Sequence, residues 1–394
     1  MATTTNEREF PITTAQLARW YDIVRESPPV VFGIKWLKRF LFSEYFILYL
    51  TIIYFLIMTE RIQVLDTPLN LTNVLANAWP LLAIAIGQTF VLLTAGIDLS
   101  QTSVMAITSV VGAALMTTNV DPLKFQNSIL WGNIVTEEGG LLAGHQYAVE
   151  LAILAMLGIG LFIGFLNGMA IARFRMPPFM VTLVSMTFFS ALAIYLTQSN
   201  NIRGLPEDFI KLGEGDIISI YVGEQVRQIS RRDVLSFVTY PLLIAAGLGI
   251  VAHVVLSRTV FGRHVYAVGT NARAAEVSGV PTKRTIILVY MFSGFCAAVA
   301  GIIYSGRLQA GRPTLGENLL LDVVGATVIG GTSLFGGKGK VLWTFFGVLF
   351  FVLLSNTLNL LKLSAFEIDI VKGSIILLAA LIDVTRTRLL ARES

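Results

Sequence analysis

The 394-residue sequence is poor in charge: Asp, Glu, Lys and Arg make up 14% of it, against 55% hydrophobic residues. Soluble domains carry roughly 25% charged residues, so this chain could not cover its own surface in water. A water-soluble enzyme is thereby excluded. Cysteine is nearly absent. The single Cys296 lies in an apolar run, rules out an internal disulfide and reads as a small packing residue. The three histidines (His145, His253, His264) lie far apart, without HExxH spacing or a cysteine partner, so no metal site is expected. The first forty residues lack a basic stretch followed by an apolar core, so no cleavable signal peptide is expected either.

What the sequence does have is long apolar blocks with the charges between them, the pattern of helices that each cross a bilayer with about 20 residues. Ten stretches pass that test: 41–58, 74–95, 101–118, 149–172, 179–197, 234–257, 285–304, 319–335, 341–361 and 368–385. The eighth is short and contains Gly330 and Gly331. In the fourth, Gly160, Gly164 and Gly168 form a small-residue stripe that lets another helix approach closely. The expected fold is an all-α membrane protein of about ten transmembrane helices. Lys and Arg favour cytoplasmic loops, and placing both termini in the cytoplasm puts about 18 of the 29 basic residues there. The formal charge of +4 thus reports orientation, and no nucleic-acid partner is expected. Residues 1–40 read as a cytoplasmic segment whose amphipathic stretch Leu17 to Val24 suits a lipid surface. Residues 41–385 read as the membrane domain and 386–394 as a cytoplasmic tail. The outer loops 119–147 and 199–233 are polar, and serve either as solvated connections or as a docking surface.

The longest inner loop between spans, 258–284, has its own helix signals. Asn271 suits an N-cap, three alanines follow before Ser278, Gly279 suits the position after the helix, and Pro281 stops it. A helix of two turns is marginal alone, so something must pack on it. It is either an ordinary interfacial helix or one that a soluble partner grips.

The loop, GRHVYAVGTNARAAEVSGV, resembles the hallmark loop of the ribose/xylose-type permeases of ABC importers, the second carbohydrate-uptake class. The resemblance is carried by Gly262, Arg263, Tyr266, Ala267, Gly269, Asn271, Ala274, Ala275, Ser278 and Gly279. Further motifs agree: GIDLS at Gly96–Ser100, Asn167–Gly168, PPFMVTL at Pro177–Leu183, VIGGTSLFGGKG at Val328–Gly339 and IVKGSIILLAALID at Ile370–Asp383. Three places depart from the family's pattern. Gln101–Ser103 replace Val-Gly-Ser, Leu320 stands where Glu is common, and Phe189–Ala191 occupy the place of an Arg-Gly pair.

The resemblance implies a permease subunit that translocates a monosaccharide (pentose, hexose or polyol) inward across the bacterial plasma membrane. It implies that the short cytoplasmic helix, with Glu276 among its residues, is the coupling helix seated on a separate ATPase subunit. The implied partners are that ATPase, which holds ATP and Mg, an extracytoplasmic sugar-binding protein and a second permease copy. Autoinducer sugars, nucleosides and branched-chain amino acids are alternative substrates in the same superfamily.

Polar residues inside apolar spans mark candidate path positions, because they are costly in lipid and usually face the bundle interior. Asp98 and Ser100 read either as a shared N-cap of the third span or as path lining. Asp322 reads as a first-turn carboxylate or path residue. Lys372 is expected to neutralise Asp369, three residues earlier. Gln88, Asn167, Asn356 and Asn359 either bond neighbouring helices or meet sugar hydroxyls.

The stretch GGTSLFGGKGK only resembles a phosphate loop, which needs Gly at 332 and Ser or Thr at 339 where this chain has Thr332 and Gly339. No cofactor is expected on this chain. An ion-coupled transporter would want acids at mid-membrane on broken helices, and an intramembrane enzyme would want a catalytic pair or triad; the acids here fall near span ends and no such spacing exists.

Overall fold

The computed structural model describes residue 43, residues 45–221 and residues 234–393. The expected N-terminal segment 1–40 lies outside the described residues. Residues Ile47–Ser394 form one compact unit. Its axis is helix α2 (Pro68–Leu93), buried on nearly every side. Pro68 in its first turn and Thr67 as N-cap, accepting from the Asn70 amide, set its start.

Around it stand α3 (Gln101–Met116), α4 (Ala148–Phe174), α5 (Pro178–Thr197), α7 (Tyr240–Arg258), α10 (Thr282–Leu308), α11 (Leu320–Ile329), α12 (Val341–Leu360) and α13 (Ala365–Glu393). Helix α1 (Phe46–Thr59) precedes them. Each of the ten expected spans therefore has a helix. Six of them (α2, α4, α5, α7, α10 and α12) are long and apolar enough to cross a membrane.

Several expected boundaries differ in the structure. Residues 234–239, taken as the start of the sixth span, form strand β4 (Val234–Thr239) paired antiparallel with β3 (Asp216–Tyr221). Thr239 then caps α7 and Pro241 lies in its first turn, which fixes the switch from strand to helix. The third span is 16 residues, or about 24 Å at 1.5 Å per residue. The eighth is a ten-residue half-helix of about 15 Å, half the thickness of the hydrocarbon core. It stops because Gly331 takes φ +101°, a conformation that side chains disfavour. Helix α13 runs on to Glu393, through the stretch read as a tail.

A long close-packed seam joins α4 to α10. A Cβ on Gly164 would lie 2.2 Å from the Tyr290 carbonyl, and one on Gly294 would lie 2.0 Å from that of Gly160. The glycine stripe therefore brings main chain against main chain. The outward faces of α5, α7 and α13 carry exposed Phe188, Ile250 and Leu377, the surface a lipid-facing helix presents.

The bundle has two distinct ends. One gathers residues 117–147, 198–221 and 309–319. There α6 (Glu207–Glu214) packs on the end of α10, and Ile202 bridges Gly311. A two-stranded ribbon of β1 (Val135–Thr136) and β2 (Gly139–Gly140) sits there too. The other end gathers the 94–100 break, the 330–340 turn and two short helices, α8 (Val260–Thr270) and α9 (Ala272–Val277).

Candidate functional site

The 258–284 loop holds more helix than its sequence predicts. Residues 260–270 form α8, capped by Thr259, whose hydroxyl accepts from the Gly262 amide at 3.2 Å. Arg263, Tyr266 and Gly269 lie on this helix. The chain breaks at Asn271, in extended conformation, and α9 begins with the Asn271 side chain accepting from the Ala274 amide at 2.9 Å. Gly279 then takes φ +83°, and the Val280 amide reaches back to the Ala275 carbonyl at 2.9 Å, closing the helix as the sequence predicts. The result is a two-helix elbow.

The elbow is seated by main-chain contact. A Cβ on Gly269 would lie 1.7 Å from the Leu93 carbonyl, the last residue of α2, and 2.7 Å from the Gly337 amide. Gly337 itself donates to the Leu93 carbonyl at 3.0 Å, and the Tyr266 hydroxyl donates to the Gly339 carbonyl at 2.8 Å. Burial raises the pKa of Tyr266 above the usual phenol value, so it remains a donor at neutral pH. The glycine-rich turn that mimics a phosphate loop is thus a seat for α8.

On α9, Ala275 faces the protein and is 6% exposed, whereas Ala274, Glu276 and Ser278 are exposed and Val277 stands 80% exposed. Of the expected coupling-loop residues on α9, Ala275 is therefore turned inward and the exposed apolar residue is Val277. Nothing in the sequence favours Val277 over its neighbours, because a six-residue helix has too short a period to show its face.

Five residues beyond Leu93, the break between α2 and α3 carries Asp98, 2% exposed. Two arms of hydrogen bonds converge on it. Asn167 on α4 donates to the Ser100 hydroxyl at 2.9 Å, which donates to Asp98 Oδ1 at 2.6 Å; the Ser100 amide adds a bond at 2.9 Å. Gln101 donates to the Ser293 hydroxyl on α10 at 2.8 Å, which donates to Asp98 Oδ2 at 2.6 Å. Every donor points inward to the carboxylate, the arrangement that satisfies an anion. The amino end of α3 contributes a favourable dipole. Of the cap expected to be shared by Asp98 and Ser100, Asp98 supplies the part that forms, accepting the Ser100 amide, while the Ser100 side chain makes no cap bond to α3.

The network joins the start of α3 to α4 and α10, and Gln101 also donates to the Ile84 carbonyl within α2 at 3.3 Å. Asp98, Ser100 and Asn167 were legible as candidates. Ser293, in an apolar run, carried no signal; Gln101 was visible only as a departure from the family pattern.

The other candidates lie elsewhere. Asp322 on α11 pairs with Lys372 on α13 at 2.7 Å, with both side chains about nine-tenths buried. Lys372 was expected to neutralise Asp369 and does not; the partner on the adjacent helix replaces the one on its own. Asn356 forms a reciprocal amide pair with Asn70, both bonds 3.0 Å, which ties α12 to α2. Asn359 is exposed and bonds the Ser355 carbonyl. Gln88, with no exposed surface, has neither amide atom hydrogen-bonded among the described residues. No group of three or more metal-ligating His, Cys, Asp or Glu side chains occurs among them.

Residues 70–381 match the family model described as branched-chain amino acid transport system / permease component. The ribose import permease protein RbsC of Bacillus subtilis (strain 168) is 36% identical over 318 residues, covering 80% of this chain and 85% of the relative. The xylose transport system permease protein XylH of Haemophilus influenzae is 29% identical, covering 81% and 90%. The D-allose transport system permease protein AlsC of Escherichia coli (strain K12) is 26% identical, covering 91% and 95%. No solved structure gives a significant match.

Proposed function

The chain belongs to the branched-chain amino acid transport system / permease component family, and on that premise we propose that it is the membrane subunit of an ATP-driven importer of a monosaccharide. The contact between the elbow and Leu93 carries the reading. It offers a rigid route from a short exposed helix to the Asp98 network, where the break between α2 and α3 meets α4 and α10.

In this reading ten helices cross or enter the bacterial plasma membrane, both termini are cytoplasmic, and α9 is the coupling helix. A separate ATPase holds ATP and Mg, an extracytoplasmic binding protein delivers the sugar, and a second permease copy completes the channel. Val277 and Ala274 give the ATPase an apolar face to grip. Closure of the ATPase pushes α9; α8 transmits the push through Gly269 to the end of α2, because main-chain contacts leave no side chain to absorb it. The 94–100 break then shifts and the Asp98 network exchanges partners. Gln88, on α2, supports a path through the bundle. A buried amide without a partner costs about 1–3 kcal/mol, which a passing sugar hydroxyl offsets.

The test uses the full chain in vesicles with its ATPase and binding protein. Val277→Asp and Ala274→Glu are expected to abolish co-purification of the ATPase and ATP-dependent sugar uptake. Transport by the chain alone, driven by an ion gradient, overturns the reading, as does unchanged association of both variants.

A further inference from the structure

On the outward side of the bundle, where Ile250 stands exposed, α7 keeps clear of α12 and leaves a groove of about 430 Å³ floored by α2. We infer that this groove is a binding site for one anionic phospholipid, with an acyl chain along it and the phosphate at its elbow end. The site requires a membrane around the chain and is independent of the cargo and of the ATPase.

The sequence makes the groove by setting small residues opposite large ones. Ala245 and Gly249, one turn apart on α7, offer almost no side chain, while Trp79 on α2 and Leu342 and Phe345 on α12 form the walls. A Cβ on Gly249 would meet only Ile86 Cδ1 within 4 Å, at 3.7 Å, so the space beside it is open. His253 is the one ionisable residue among the described ones that line it. From Leu242 to His253 the groove follows α7 for about 16 Å, at 1.5 Å per residue. That is roughly the depth of one leaflet of a hydrocarbon core about 30 Å thick. An apolar slot of this length suits an acyl chain.

The elbow end of the groove is basic. Arg258 ends α7 and Lys340 precedes α12, and both are exposed. The Lys340 ammonium lies over the Trp343 ring, 4.8 Å from its centre. The segments that meet there, residues 248–275 and 323–366, contain no Asp or Glu. Clustered Lys and Arg beside a membrane-spanning helix attract anionic headgroups, and both side chains bind phosphate oxygens. A Cβ on Gly262 would lie 2.2 Å from the Leu256 carbonyl, so α8 rests on the end of α7 and the phosphate stands beside that joint.

A second copy of the chain suits the groove less well. A two-fold axis along the membrane normal sets the same level of each copy face to face, which would bring two of these basic ends together. Like charges so placed oppose association.

The experiment is native mass spectrometry of the full chain released from nanodiscs of equal dioleoyl phosphatidylglycerol and dioleoyl phosphatidylcholine. One phosphatidylglycerol is expected to be retained per chain, preferred about tenfold over phosphatidylcholine. Arg258→Gln combined with Lys340→Gln is expected to bring that preference close to one. Gly249→Leu, which fills the groove, is expected to remove the retained lipid of either kind. Arg258 and Lys340 are exposed, so their double variant reads the site even if Gly249→Leu fails to fold. Retention without headgroup preference, or retention indifferent to both variants, overturns the assignment. So does a lipid-free dimer that separates on Gly249→Leu, the signature of a second copy in the groove.

Discussion

Lys372 on α13 holds Asp322 on α11 at 2.7 Å, and this pair pins a half-helix that lacks the length to anchor itself. Both side chains are about nine-tenths buried, so removing one partner strands a charge. Lys372→Met or Asp322→Leu alone is expected to lower stability by about 3–5 kcal/mol. The double replacement is expected to recover most of it. Thermal melting of the three variants in detergent checks this; a loss in the double equal to the sum of the two single losses would show that the pair contributes no coupling.

Gly269 allows the elbow to touch the end of α2. Gly269→Ala places a methyl 1.7 Å from the Leu93 carbonyl and must push α8 off its seat. Overpacking of this kind costs about 1–3 kcal/mol. The expected signature is ATP hydrolysis in the assembled complex that no longer drives uptake, measured as the ratio of sugar transported to ATP consumed.

Asp98→Asn keeps the shape and reverses part of the polarity. An amide nitrogen would then face either the Ser293 hydroxyl or the Ser100 donors, all of which now point at an acceptor. A loss of about 1–3 kcal/mol is expected, with reduced uptake. Gln101→Met behaves differently. The Gln101 carbonyl oxygen is buried without a partner among the described residues, so losing the amide's two bonds, to the Ser293 hydroxyl and the Ile84 carbonyl, is partly offset by removing that unsatisfied atom. Its melting temperature is expected to stay within a few degrees of wild type.

The glycine stripe of α4 can be tested by Gly164→Leu. A side chain there meets the Tyr290 main chain at 2.2 Å and cannot be accommodated by a rotamer change. The α4–α10 seam is expected to open and the protein to be lost to aggregation on solubilisation, as read by size-exclusion chromatography.

Much of this fold was legible because lipid imposes long apolar runs. α9, with its Asn271 start and Gly279 stop, was visible from local chemistry alone. The strand at 234–239 was not, because a short apolar run reads alike as strand or helix. Half-helix α11 was overextended for a similar reason: hydropathy runs on past Gly330, while backbone geometry ends the helix. The partner of Lys372 was missed because spacing along one helix says nothing about its neighbour. For the polar network, sequence supplied Asp98, Ser100 and Asn167 but had no means of bringing Ser293, nearly two hundred residues away, to the same carboxylate.

Between α4 and α10, the peptide planes meet with no cushion of side chains. Two rods joined that way cannot slide or roll past one another by swapping rotamers, so they travel as one beam. Any opening and closing of the bundle must then be taken up at its joints: the 94–100 break, the turn at 175–177 between α4 and α5, where Arg175 takes φ +55°, and the elbow at Asn271. Those three joints lie at the same end of the molecule, so bending is concentrated at that end while the α4–α10 beam carries it unchanged toward the other.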